Sequence, residues 1–144
     1  MESAFKYAYE ALKCQEVPVG CIFVHNNQII ASGRNTVNET HNATRHAELN
    51  CIDQINNFCK TMEPCIMCAA ALYELGIKCI IYGCTNDRFG GETVFDVASV
   101  LKPKTEVIGG YRADEAMNLL KEFYKGTNPS APSSKVKVKN KRDV

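Results

Sequence analysis

The chain has 144 residues, 45% of them hydrophobic, with 17 basic residues against 16 acidic and a formal net charge of +1. That length suits one domain with its own core and is too short for two. The apolar fraction excludes a disordered chain, and no apolar run approaches membrane-spanning length.

The opening residues, MESAFKYAYEALK, carry acidic side chains and no continuous apolar stretch, so they do not read as a secretory signal. An intracellular protein is expected, in nucleus and cytoplasm. Six of the eight cysteines (Cys14, Cys21, Cys51, Cys59, Cys79 and Cys84) read as small buried hydrophobes in a reducing compartment rather than as a disulfide framework. Only Cys65 and Cys68 have ligand spacing. The charge is unevenly spread: residues 135–144, KVKVKNKRDV, hold five basic residues against one acidic, whereas the remainder is mildly acidic. Such a tail suits contact with a polyanion, although an idle solvated terminus has the same composition.

Residues 3–13 place Ala4, Phe5, Ala8, Ala11 and Leu12 at helical spacing. VPVGCIFVH (17–25) and QIIASGR (28–34) are β-rich and meet at Asn26-Asn27, a two-residue hairpin turn. A helix is predicted over 46–58, with Asn42 and Thr44 as candidate caps. A second starts at Pro64, with Pro64 in its first turn and Gly76 closing it. KCIIYGC (78–84) reads as a buried strand, TEVIGG (105–110) as a weaker one, and 113–126 as a final helix ending at Gly126. Beyond it, TNPSAPSS has the composition of a disordered linker. The order of elements implies an α/β layered domain with a right-handed crossover. The predicted division is one folded domain over 1–126 and a linker with a basic tail over 127–144.

The chemistry concentrates between His46 and Cys68. With the helix start set by Pro64, Cys65 and Cys68 form an i,i+3 pair near its N-terminus, where free amides favour thiolates. Zinc binds thiolates. His46 is the natural third ligand, and a Cys₂His set leaves a fourth position open, as in catalytic rather than structural sites. Glu48 can then move protons to and from a zinc-activated water. Residues two apart diverge in a helix body, so the HxE pair works only if His46 sits at the helix start. A redox CxxC pair, a structural zinc site and plain core residues are the alternatives. The combination with Pro64 matches the HxE…PCxxC signature of zinc nucleobase deaminases. His25 and His41 lack such context and read as ordinary surface or strand residues.

Further segments make the resemblance specific. EVPVG (16–20), GRN (33–35), NATRHAE (42–48), EPCIMCAAAL (63–72), YGCTNDRFGG (82–91) and GYRADEA (110–116) resemble the catalytic subunits of eukaryotic tRNA adenosine deaminases, over nearly the whole chain. The resemblance implies a cytidine-deaminase-like three-layer α/β/α sandwich around a mixed five-stranded sheet. It implies Zn2+ held by His46, Cys65 and Cys68, with Glu48 as proton shuttle, in hydrolytic deamination of the wobble adenosine of tRNA to inosine. It places Asn35, with Pro18 and Val19, at the base pocket, although strand packing explains the latter two equally well. It also implies a heterodimer with a catalytically silent deaminase-like subunit, with Arg88-Phe89-Gly90-Gly91 near that interface and the active site. The tail residues Lys135, Lys137, Lys139, Lys141 and Arg142 would contact tRNA phosphates.

One segment departs from the pattern. Only 15 residues lie between Glu48 and Pro64, roughly half of what the resemblance implies, and a strand leading into the PCxxC helix is missing or shortened. A helix over 46–58 climbs about 18 Å, and the remaining steps to Cys65 span at most roughly 23 Å, so the ligands can still meet. NNFCKTME offers no Val/Ile-rich run for a buried central strand. Two other readings therefore stand beside the tRNA deaminase: a catalytically impaired chain acting as a binding subunit, and a free cytidine or deoxycytidylate deaminase, which the basic tail and RFGG disfavour.

Overall fold

Asn26 and Asn27 both adopt left-handed backbone (φ 48° and 62°), as a two-residue hairpin turn between right-twisted strands requires. They join β1 (Gly20–His25) to β2 (Gln28–Arg34). The register runs from Gly20 opposite Arg34 to Phe23 opposite Ala31, then slips between Phe23 and Val24. In this computed structural model, residues 1–54, 59–60 and 62–125 are described; the linker and tail predicted over 127–144 lie outside them.

α1 (Glu2–Lys13) buries Ala4, Phe5, Ala8 and Ala11. It lies so close to β1 that a Cβ on Gly20 would come within 2.0 Å of the Ala4 carbonyl oxygen. Two short helices follow the hairpin, α2 (Val37–Thr40) and α3 (Ala47–Ile52). β3 (Cys59–Lys60) comes next, then α4 (Ile66–Glu74), β4 (Cys79–Ile81), α5 (Val97–Leu101), β5 (Glu106–Ile108) and α6 (Ala113–Lys125). Gly76, with φ +66°, ends α4 as predicted.

The apolar core divides in two. One cluster joins Cys21, Phe23 and Ala31 of the hairpin to Ala47, Cys51, Ala69, Leu72, Ile80 and Val97, and so to α3, α4 and α5. The other joins Phe5 and Ala8 of α1 to Ala116 and Leu119 of α6, with Cys84 between. Helices on both sides of a sheet layer make the expected α/β/α arrangement.

The central strand is shortened rather than lost. β3 has two residues, and it pairs antiparallel with β1 through Cys21–Lys60 and Ile22–Cys59. β4 and β5 pair parallel. Among the described residues the strands form a three-stranded sheet (β2-β1-β3) and a two-stranded one (β4-β5) instead of one continuous ladder. A parallel bridge between Met62 and Cys84 joins them, where the Glu63 amide donates to the Cys84 carbonyl at 2.9 Å.

Several expectations need correction. The helix predicted over 46–58 is regular only over Ala47–Ile52, and 55–58 lie outside the described residues. Asn42 and Thr44 do not cap it. Asn42 Oδ1 instead accepts from the Thr44 amide and hydroxyl at 3.0 and 2.8 Å, closing a local turn. Pro64 precedes the N-cap of α4 rather than occupying its first turn. Of the cysteines read as core, Cys21, Cys51 and Cys84 are buried, but Cys14 is exposed and Cys79 half-buried; the side chain of Cys59 falls outside what is described. Helices α2 and α5 were not predicted.

Candidate zinc and substrate site

His46 is the N-cap of α3 and Cys65 the N-cap of α4, each with extended backbone (ψ 157° and 165°). An N-cap residue is half outside its helix, so its side chain stands over the first turn instead of on the helix flank. That geometry satisfies the condition set by the HxE spacing, because Glu48 then belongs to the same helix mouth. Glu48 is 1% exposed and lines one cleft with His46 and Cys65.

The three donors converge. His46 Nδ1 lies 3.6 Å from Cys65 Sγ and 3.5 Å from Cys68 Sγ, and all three donor atoms lie within 4.8 Å of one another. Bonds of about 2.3 Å to sulfur and about 2.0 Å to nitrogen, at a tetrahedral angle, would separate S and N by about 3.5 Å. The donor set and its spacing therefore fit zinc. The Cys65 thiol is pulled down to about 4, first by a hydrogen bond with Cys68, against the opposing effect of burial, and further by His46. Thiolate character is what a zinc ligand needs.

A buried carboxylate ties the metal-ligand helix to the cleft wall. Glu63 is fully buried. Its Oε1 accepts from the amides of Glu92 and Thr93 at 2.8 and 2.9 Å, and its Oε2 from the Asn86 amide at 2.8 Å and the Thr93 hydroxyl at 2.6 Å. Burial pushes this carboxyl up, but the Thr93 hydroxyl and three amides together hold it below its ordinary value. Two backbone bonds reinforce the tie: Ile66 N–H to Phe89 O at 2.8 Å, and Gly91 N–H to Pro64 O at 2.9 Å. Gly90 has no room for a side chain, since a Cβ would sit 2.4 Å from Glu63 Oε1.

The resulting cleft has a volume of about 1050 Å³. Val19 and Asn35 line it, as do Arg88 and Phe89 of the RFGG segment; Pro18 is buried between Val17 and Val19, both of which line it. Asn35 is 4% exposed, and its Nδ2 donates to Glu16 Oε2 at 3.0 Å. The end of α6 contributes Lys121 and Tyr124, with the Arg88 guanidinium 5.8 Å from the Tyr124 ring centroid. His25 and His41 are exposed. Sequence reasoning missed Glu63, Glu16 and Tyr124. An acidic residue just before PCxxC was the one available signal for Glu63.

Comparison with known proteins agrees with this geometry. The zinc-binding region of cytidine and deoxycytidylate deaminases matches residues 1–84. The chain is similar to tRNA-specific adenosine deaminase 2 of Danio rerio, at 50% identity over 159 positions, covering 95% of this chain and 74% of that protein. The Xenopus tropicalis protein of the same description is 48% identical, covering 96% and 95%. Alignments of 159 and 161 positions are longer than the chain itself, so these relatives carry residues that this chain lacks. Among solved structures, one from work on A-to-I editing by tRNA:A34 deaminases superposes with a TM-score of 0.79 at 28% identity, covering 83% of this chain and 97% of the other. A guanine deaminase from Nitrosomonas europaea shares the fold, with a TM-score of 0.74 at 18% identity over 87% and 82% of the two chains. From the paired N-cap ligands to these relatives the findings converge: this chain belongs to the cytidine and deoxycytidylate deaminase family, in its tRNA-specific adenosine deaminase branch.

Proposed function

We propose that this chain hydrolyses adenosine to inosine at the wobble position of tRNA anticodons, as the catalytic subunit of a heterodimer with a catalytically silent deaminase-like subunit. One observation carries the reading: His46, Cys65 and Cys68 meet beside the buried Glu48 even though the connector between them is short.

His46, Cys65 and Cys68 would hold zinc, which when bound makes water a nucleophile at neutral pH. Glu48 takes a proton from the attacking water on its carboxylate and returns it to the departing amine, so that water and adenosine give inosine and ammonia. At adenine C6 one C–O bond forms and the C–N bond to the exocyclic nitrogen breaks. Asn35 and Val19 would bind the base, with Pro18 packed behind.

Support for a nucleic-acid substrate comes from the cleft rim, where Arg88, Lys121 and Lys125 stand beside the exposed rings of Phe89 and Tyr124. Cations alternating with aromatic faces suit an unpaired strand. The tail residues Lys135, Lys137, Lys139, Lys141 and Arg142 would add phosphate contacts. Support for the partner subunit comes from the 89–100 stretch, where Phe89, Phe95 and Val100 are 64%, 52% and 62% exposed. Among the described residues no helix is long and apolar enough to cross a membrane.

The test is inosine formation on a wobble-adenosine tRNA by the zinc-loaded chain co-purified with its partner, beside turnover of free cytidine. Inosine without cytidine turnover is expected. Robust cytidine turnover without inosine would replace this reading with a free nucleoside deaminase.

A further inference from the structure

Glu16 is 0% exposed and has no place in the zinc chemistry. It lies on the loop between α1 and β1, and it lines the substrate cleft. Both of its carboxylate oxygens accept hydrogen bonds. Oε1 takes the backbone amide of Glu39 at 2.8 Å, and Oε2 takes Nδ2 of Asn35 at 3.0 Å.

The Glu39 amide belongs to α2 and can only donate, so it fixes which way the carboxylate faces. The second oxygen then fixes the Asn35 amide, because a carboxylate offers that amide nothing but an acceptor. Asn35 must turn its NH₂ toward Glu16. Its Oδ1 has no hydrogen-bond donor among the described residues, and no buried side-chain oxygen there is left without a partner. Oδ1 therefore reaches the solvent of the cleft that Asn35 lines. A neutral amide in a base pocket can present either a donor or an acceptor edge, and here a neighbour decides.

We propose that Glu16 is a positioning residue that locks the Asn35 amide with its oxygen toward the cleft, so that the pocket selects a base carrying an N–H donor at that edge. This rests on the deaminase reading above. The same carboxylate holds the first turn of α2, where Val37 and Asn38 line the cleft, so the amide and the adjacent wall are set together.

Glu16→Gln is the discriminating change. A glutamine cannot accept from both partners at once. With its oxygen on the Glu39 amide, its NH₂ faces Asn35 and forces that amide to invert. The experiment is a double-mutant cycle of Glu16→Gln and Asn35→Ala in the zinc-loaded chain with its partner. It reads both kcat/KM for inosine formation and Kd for an adenosine-containing anticodon stem-loop. Glu16→Gln is expected to lower both affinity and kcat/KM about tenfold or more, with one zinc retained. The double variant is expected to be no worse than Asn35→Ala alone, since Glu16 acts through Asn35. Multiplying effects, or an unchanged Glu16→Gln protein, would overturn the proposal. A wild type that binds the stem-loop but forms no inosine would remove the deaminase reading and leave the binding cycle to decide this one. Should Glu16→Gln fail to fold, isotope-labelled wild type decides. The Asn35 side-chain carbonyl resonance is expected to move on stem-loop binding, and movement confined to its NH₂ would overturn the proposal.

Discussion

His46 and Cys65 occupy the same position in two different helices: each is the N-cap, each has extended backbone, and their donor atoms lie 3.6 Å apart. The chain between them bears on the ligand geometry only through where it delivers Cys65. A two-residue β3 beside β1 and the Met62–Cys84 bridge suffice for that delivery. The shortening falls on sheet continuity and spares the donors.

Glu48→Ala tests the proton-shuttle role. Glu48 is buried in the cleft but is not one of the three converging donors. The variant is expected to keep its zinc and lose about 10²–10⁴ in kcat for inosine formation. Near-normal turnover in that variant would contradict the assignment.

Glu63→Gln tests the tie between α4 and the cleft wall. An amide can accept on one side only, so two of the four donors on Glu63 would face an NH₂ group. A loss of about 1–3 kcal/mol is expected in urea unfolding near neutral pH. The sign with pH follows from the direction of the shift. The folded carboxyl lies below its ordinary value, so its stabilisation is complete above the unfolded pKa and is lost as pH falls through the folded one. The gap between wild type and variant should therefore narrow on acidification. A gap that widens would show the direction to be wrong.

Gly90→Ala addresses the same tie from the other side. The added methyl would press on Glu63 Oε1 and, at 2.6 Å, on the Asn86 carbonyl oxygen. A destabilisation of about 1–3 kcal/mol is expected by thermal melting; an unchanged melting temperature would mean the loop yields freely.

Removing residues 135–144 is expected to weaken tRNA binding and flatten its salt dependence. The log–log slope should fall by about 0.7 for each single-strand phosphate that the tail neutralises. Binding measured across a salt series checks this. An unchanged slope would take the tail out of the interface.

Much of this site is legible in the sequence. HAE and PCIMC carry the ligand spacing, and Asn26-Asn27 declares its hairpin because few other residues accept left-handed backbone. What is not legible depends on distant partners. The roles of the Glu16 and Glu63 carboxylates are not legible even though both open segments that carry the resemblance, since their bonds run to Asn35, Glu39, Asn86 and Thr93, between 19 and 30 residues away. α5 has a readable signature, Asp96 accepting from the Ser99 amide at 3.0 Å, but five residues are too few to show periodicity. The length of α3 is overestimated from sequence because the polar residues after Ile52 read equally well as helix surface.

The central claim is that the short connector still builds a zinc site, and metal content tests it most directly. Zinc would be measured per chain in protein co-purified with its partner, for wild type and for Cys65→Ser. One zinc per wild-type chain, absent from the variant, is the predicted result. A folded wild-type chain without zinc would contradict the account.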